Sequence, residues 1–167
     1  MKKYLLLVII TVCIIAVFSN TTYEQQTIIP ELRTVLANEP FKETLSKLEF
    51  TYWNRTISVE ERGYFYFVEF LIRKTTHFFG FGIAAILFFG LYRKLKLPFA
   101  GAWAVLTIFL IASLDEYRQT FIAGRTGLFT DVLIDTAGAI FCLMLLHISL
   151  WIFRSIQKRL PKKSAAR

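Results

Sequence analysis

Apolar residues run almost unbroken through four stretches of the chain, 4–18, 75–92, 99–114 and 132–153, with polar residues gathered at their ends and between them. A continuous apolar run near bilayer length predicts a helix that crosses the membrane. At about 1.5 Å rise per residue each run crosses most or all of a hydrocarbon core about 30 Å thick. The first and third are slightly short, so their polar ends must lie at the interface or the bilayer must thin. Only Arg93-Lys94-Leu95-Lys96-Leu97-Pro98 separates the second and third runs, which predicts an antiparallel hairpin.

The first run follows Lys2 and Lys3 and imitates a secretory signal. Phe18-Ser19-Asn20 offers no small-residue cleavage site, and Val12 precedes Cys13 where lipid attachment wants a small residue. The run is therefore expected to stay as a membrane helix. Cys13 and Cys142 both lie inside apolar runs and are expected to serve helix packing rather than a disulfide or a zinc site.

Residues 19–73 form one long connection, too long for a bare loop. Pro30 and Pro40 suit the first turns of short helices, and Phe41, Leu45 and Leu48 recur at helical spacing. Ser58 and Glu61 make a capping-box pattern ahead of the aromatic run Tyr64-Phe65-Tyr66-Phe67. Short amphipathic helices on the outer leaflet are expected here, the last running into the second span; a small water-exposed cap is the alternative. No repeats or low-complexity tracts occur. Residues 1–160 read as a single membrane domain and 161–167 as a disordered basic tail.

Charge sets the orientation. The N-terminus, the 93–98 connection and the C-terminus carry Lys2, Lys3, Arg93, Lys94, Lys96, Arg154, Lys158, Arg159, Lys162, Lys163 and Arg167, without one acidic residue. This is the positive-inside pattern, so both termini are expected in the cytoplasm. The net charge of +8 is then a topology signal and a contact for anionic lipid, and no motif points to nucleic acid. A hydrophobic share of 55% agrees, being more than a soluble fold of this size hides easily. The fold class is an all-α, integral membrane four-helix bundle.

The chemistry collects at the outer ends of three spans. Lys74, His77 and Phe81 are spaced i, i+3, i+7 and share a helix face, with Gly80 and Gly82 beside them to admit a neighbouring helix. His77 stands about 22 Å along a helix from Tyr92, and Asp135 about 27 Å from Phe153, so both reach the outer leaflet. Asp115 and Gln119 share a second face, from which Glu116 and Arg118 are turned away. Arg125 sits between glycines in a short connection, and Asp131, Asp135 and Gly138 share a third face. Ionisable groups in spans are costly and usually turn inward to pair. Lys74, His77, Asp115, Glu116, Gln119, Arg125, Asp131 and Asp135 are therefore the candidate ligand-binding set, with anchoring and helix-packing salt bridges as the structural alternative. Such a set suits an anionic headgroup, or a metal ion bridging phosphates. No catalytic residue, cofactor or metal is assigned.

The combination Arg73-Lys74-x-x-His77-Phe78-x-x-Phe81-Gly82, Asp115-Glu116-x-x-Gln119-x-Phe121, Gly124-Arg125 and Asp131-x-x-x-Asp135-x-x-Gly138 resembles the VanZ-like membrane family. The resemblance covers residues 70–145, with Phe81 standing where the family often has tyrosine and Asp135 where asparagine is common. It implies a multi-pass protein of the bacterial plasma membrane. The family's founding member is associated with low-level resistance to the glycopeptide teicoplanin. The leading expectation is a cell-envelope protein that binds or modulates an anionic, lipid-linked molecule such as a cell-wall precursor, with membrane lipids as partners. An enzyme acting on lipid phosphates is the alternative, although HExxH, GxSxG and P-loop motifs are absent. A small transporter ranks last, because the inner halves of the spans carry no polar path.

Overall fold

The computed structural model describes residues 2–159. Four long helices dominate it: α1 (Lys2–Ser19), α6 (Tyr64–Lys94), α7 (Ala100–Gln119) and α8 (Phe129–Arg159). All four are long and apolar enough to cross a membrane, so the chain is an all-α membrane bundle. The expected basic tail at 161–167 lies outside the described residues.

The spans extend past their apolar runs. α6 begins at Tyr64 rather than near Thr75 and has 31 residues, about 46 Å at 1.5 Å per residue, against a core about 30 Å thick. The helix is therefore longer than a crossing of the hydrocarbon requires. α7 continues beyond Leu114 to Gln119, so the short third span is a full-length helix whose last turn is polar.

α6 is the hub and packs on α1, α7 and α8, most extensively on α8. Gly82 and Gly138 make that crossing close. A Cβ on Gly138 would run into the Phe78 carbonyl, and one on Gly82 would lie 2.9 Å from the Gly138 oxygen and against the Cys142 sulfur. Gly80 does not share this role, since nothing lies within 4 Å of where its Cβ would be. Cys142 is buried in the packing as expected, whereas Cys13 is exposed on α1 and packs against no helix core. The core itself is built from Phe81, Ala84, Ala85 and Phe88 of α6, Ala104, Ile108 and Ala112 of α7, and Val132, Ala139 and Leu143 of α8.

The 19–73 segment folds into short helices α2 (Tyr23–Gln26), α3 (Ile29–Val35), α4 (Lys42–Leu45) and α5 (Val59–Arg62), with a hairpin of β1 (Phe50–Tyr52) and β2 (Arg55–Ile57). Pro30 occupies the first turn of α3 as expected, and Ser58 caps α5 by accepting from the Glu61 amide. Pro40 precedes α4 instead of entering it, and Phe41, at φ 60°, is its left-handed N-cap. Phe41, Leu45 and Leu48 thus form no common helix face: Leu45 packs inward while Phe41 and Leu48 are exposed. Gly63, at φ 80°, separates α5 from α6 with a backbone turn that favours glycine. The hairpin was not expected. Trp53 and Asn54 both have positive φ, the two-residue turn that matches strand twist. Ile57, Val59, Tyr64 and Phe67 bury a second small core, so the segment is a folded cap seated on the upper turns of α6.

Candidate functional site

The buried face of α7 carries the site. Ala100, Ala104, Ile108, Ala112 and Glu116 follow one another at i, i+4 spacing, so a stripe that seals the core ends in a carboxylate. Glu116 is buried and lines the cavity, although its face differs from that of Asp115 and Gln119. Its Oε2 accepts from the Leu128 amide at 2.8 Å, tying the α7–α8 connection to α7. Gly127 is needed there, because a Cβ at that position would collide with the Glu116 carbonyl. Gln119 donates to Asp115 at 2.8 Å and to Glu116 at 3.3 Å, bridging the two acids.

Between the cap, α6, α7 and the α7–α8 connection lies a cavity of about 280 Å³. Of the expected set, Lys74, His77, Glu116, Gln119, Arg125 and Asp131 line it. Asp115 does not; it lines a second, apolar cleft, where His77, Gln119 and Arg125 recur. Asp135 lines neither. It is fully buried on α8, its Oδ1 3.5 Å from the Nδ1 of His77. Neither atom has a hydrogen-bond partner, and the second Asp135 oxygen is also unpartnered. The His77 ring stacks on Phe81 with centroids 6.0 Å apart, which fixes its plane.

The cap contributes residues that sequence reasoning missed: Tyr23, Tyr52, Arg55 and Arg62, joined by Glu69 and Arg73 from the upper turns of α6. Arg73 belonged to the recognised motif, and the aromatic and β-branched run around Asn54 was the available signal for the hairpin. Tyr23 donates to Glu69 at 2.7 Å, and the Ile28 amide donates to the other Glu69 oxygen at 2.8 Å. Tyr52 and Lys74 both donate to Oδ1 of Asp131, and the Lys74 ammonium lies 4.6 Å from the Tyr52 ring centroid. Burial, reinforced by the Glu69 carboxylate, pushes the Tyr23 phenol up to about 12. Burial and then Asp131 push Tyr52 up as well, so both phenols stay protonated donors.

Arg125 is partly committed to structure. It donates to the carbonyl of Thr21 at 3.2 Å and reaches that of Phe18, while Arg118 donates to the Ala16 carbonyl at 2.9 Å. Two arginines therefore donate to carbonyls at and just beyond the end of α1, where Gln26 and the Thr21 hydroxyl also donate to the Phe18 carbonyl. Burial and the neighbouring Arg73 lower the Arg125 guanidinium from its usual value. The cavity wall holds five basic residues, Arg55, Arg62, Arg73, Lys74 and Arg125, against the acidic Glu69, Glu116 and Asp131. No three His, Cys, Asp or Glu side chains among the described residues are grouped to hold a metal ion.

A family model described as VanZ/LLP1 matches residues 4–153, nearly the whole chain. The chain belongs to the VanZ/LLP1 family. That span takes in α1 and the cap as well as the motif-bearing helices, so this VanZ-family domain includes the cap that closes over the cavity. Neither a curated protein nor a solved structure matches the chain.

Proposed function

We propose that this VanZ-family chain binds an anionic, lipid-linked molecule of the cell envelope at the outer leaflet of the bacterial plasma membrane. The head of that molecule, a phosphate or carboxylate, would occupy the cavity under the cap, and its capture or shielding would alter susceptibility to teicoplanin. The surplus of basic over acidic side chains around the 280 Å³ cavity is the observation that carries this reading. Arg55 and Arg62 line the cavity without a carboxylate partner among the described residues, while Lys74 pairs with Asp131 and Arg73 lies 3.6 Å from Glu69. Tyr23 and Tyr52 strengthen the reading, because each phenol donates to one of those two acids and would hold it in place while the paired cation turns a spare N–H to the anion. The positive-inside charge pattern supports the outer placement of this end of the bundle.

The test is binding of labelled polyprenyl pyrophosphate to the full chain in nanodiscs. Removing a charged hydrogen-bond partner costs about 1.5–3 kcal/mol, so Arg73→Ala and Lys74→Ala should each weaken binding roughly tenfold or more. The same variants, still inserted, should lose any effect on teicoplanin susceptibility. Unchanged binding in both would sink the proposal.

The unpartnered His77–Asp135 pair favours one second reading, a phosphate-transfer or hydrolysis site with His77 as the acid–base group. Product release from the same labelled lipid, lost in His77→Gln while binding persists, is the result this reading requires.

A further inference from the structure

We propose that the apolar cleft between α1 and α6 receives the first stretch of the ligand's hydrocarbon chain, so that the ligand is an amphiphile loaded sideways from the bilayer. The inference rests on the headgroup reading above and adds where the chain goes.

α1 and α6 touch at one end and part at the other. Near the start of α1 the Tyr4 ring sits on Gly90, where a Cβ would lie 2.5 Å from the ring, and Val8 is buried. Towards Ser19 the helices leave a cleft of about 200 Å³ lined by Ile14, Ile15, Phe18, Gly80 and Phe81 among others. Gly80 forms an open floor, with nothing within 4 Å of its missing Cβ. Ile14 and Phe18, 51% and 65% exposed, form a wall that faces outward to where lipid chains lie.

Adjacency to the polar cavity identifies the occupant. His77, Gln119 and Arg125 line both spaces, so the basic cavity and the apolar cleft adjoin across these three side chains. Ser19 is buried at the cleft, and its Oγ has no partner. Sites for drug-sized ligands span about 300–1,000 Å³, so each space alone suits only part of a molecule. A charged head above and a chain below match the polarity of the two spaces in turn. A water-soluble anion would leave the cleft unused, and a neutral hydrocarbon would leave the basic groups unused.

Hexadecyl phosphate carrying a mid-chain diazirine, added to the full chain in neutral nanodiscs, tests this directly. Photolysis should label α1 between Thr11 and Phe18 and α6 near Gly80. Gly80→Leu, whose Cβ would meet nothing within 4 Å, should cut labelling and hexadecyl phosphate binding roughly tenfold or more by displacing methylenes from the slot. Ile14→Phe should act in the same direction. Methyl phosphate, which has no chain, should bind both variants as it binds the native chain. Labelling spread over all helices, or unchanged in both variants, overturns the chain slot. If Arg73→Ala and Lys74→Ala abolish binding while the cleft variants do not, the headgroup site stands and the slot falls. If labelling of α1 survives both charge removals, the slot stands and the headgroup reading falls.

Discussion

His77 Nδ1 lies 3.5 Å from Asp135 Oδ1 in the buried heart of the α6–α8 contact, and neither atom is hydrogen-bonded. A fully buried carboxylate without a hydrogen bond costs stability, which a fold retains only for some return. Truncating one member of a buried pair leaves a cavity and an unpaired partner, whereas an amide of the same shape removes only the charge. Asp135→Asn is therefore expected to leave the thermal unfolding midpoint in detergent unchanged or raised while weakening ligand binding through His77, which lines the cavity. A clear drop in that midpoint would mark Asp135 as structural.

The α6–α8 crossing predicts opposite outcomes for glycines two residues apart. Gly82→Ala drives a methyl into Cys142 and the Gly138 carbonyl, and overpacking of this kind costs about 1–3 kcal/mol. Gly80→Ala meets open space and gains helix propensity, so it should be neutral or slightly stabilising. Adding Cys142→Ala should recover part of the Gly82→Ala loss but not all, because the backbone oxygen remains 2.9 Å away. Thermal unfolding of the three variants beside the native chain in one detergent checks the order.

Four spans and the family were legible because continuous apolar runs and an unusual set of polar residues at their ends leave few alternatives. The helix ends were not. Residues 64–74 mix aromatic and charged side chains and look like an interface, yet they continue α6 because the cap buries Tyr64 and Phe67. Glu116 stands in the candidate set read from sequence, and its inward face is legible too, as the next i+4 step after Ala104, Ile108 and Ala112. The hairpin residues Tyr52 and Arg55 reach the site through tertiary packing of a three-residue strand pair, which local pattern does not specify. Arg125 shows the converse, a candidate ligand whose structural work at the end of α1 depends on contacts over 100 residues apart.

Alkaline pH should loosen the cap before it unfolds the bundle. The Tyr23 phenol is raised from 10.0 to about 12 in the folded chain, chiefly by burial. A raised acid stabilises the fold fully below its unfolded value and loses that contribution as pH climbs through the folded one. Between pH 10 and about 12 the Tyr23–Glu69 hydrogen bond should therefore fail, with cap amides such as that of Ile28 exchanging faster. Tyr23→Phe should show the faster exchange already at neutral pH, and should flatten the Tyr23 share of its rise on alkalinisation. Hydrogen exchange resolved by peptide measures both.

Arg118 offers the sharpest separation of helix capping from ligand binding. Its guanidinium donates to the Ala16 carbonyl at 2.9 Å, and its second neighbour, Asp115, lies 3.6 Å away. It lines neither the polar cavity nor the apolar cleft. α1 buries little of itself in the bundle, so the loss of one charged cap should be felt along its last turn. Arg118→Ala is expected to speed amide exchange over Phe18–Thr21 while leaving the α6–α8 contact protected. A hydrogen bond from a charged donor contributes about 1.5–3 kcal/mol, enough for a more than tenfold change in local opening. Binding of methyl phosphate should persist in this variant, since every basic group lining the polar cavity is still present. Slow exchange over Phe18–Thr21 in Arg118→Ala would mean that Arg125 and Gln26 hold the end of α1 without it.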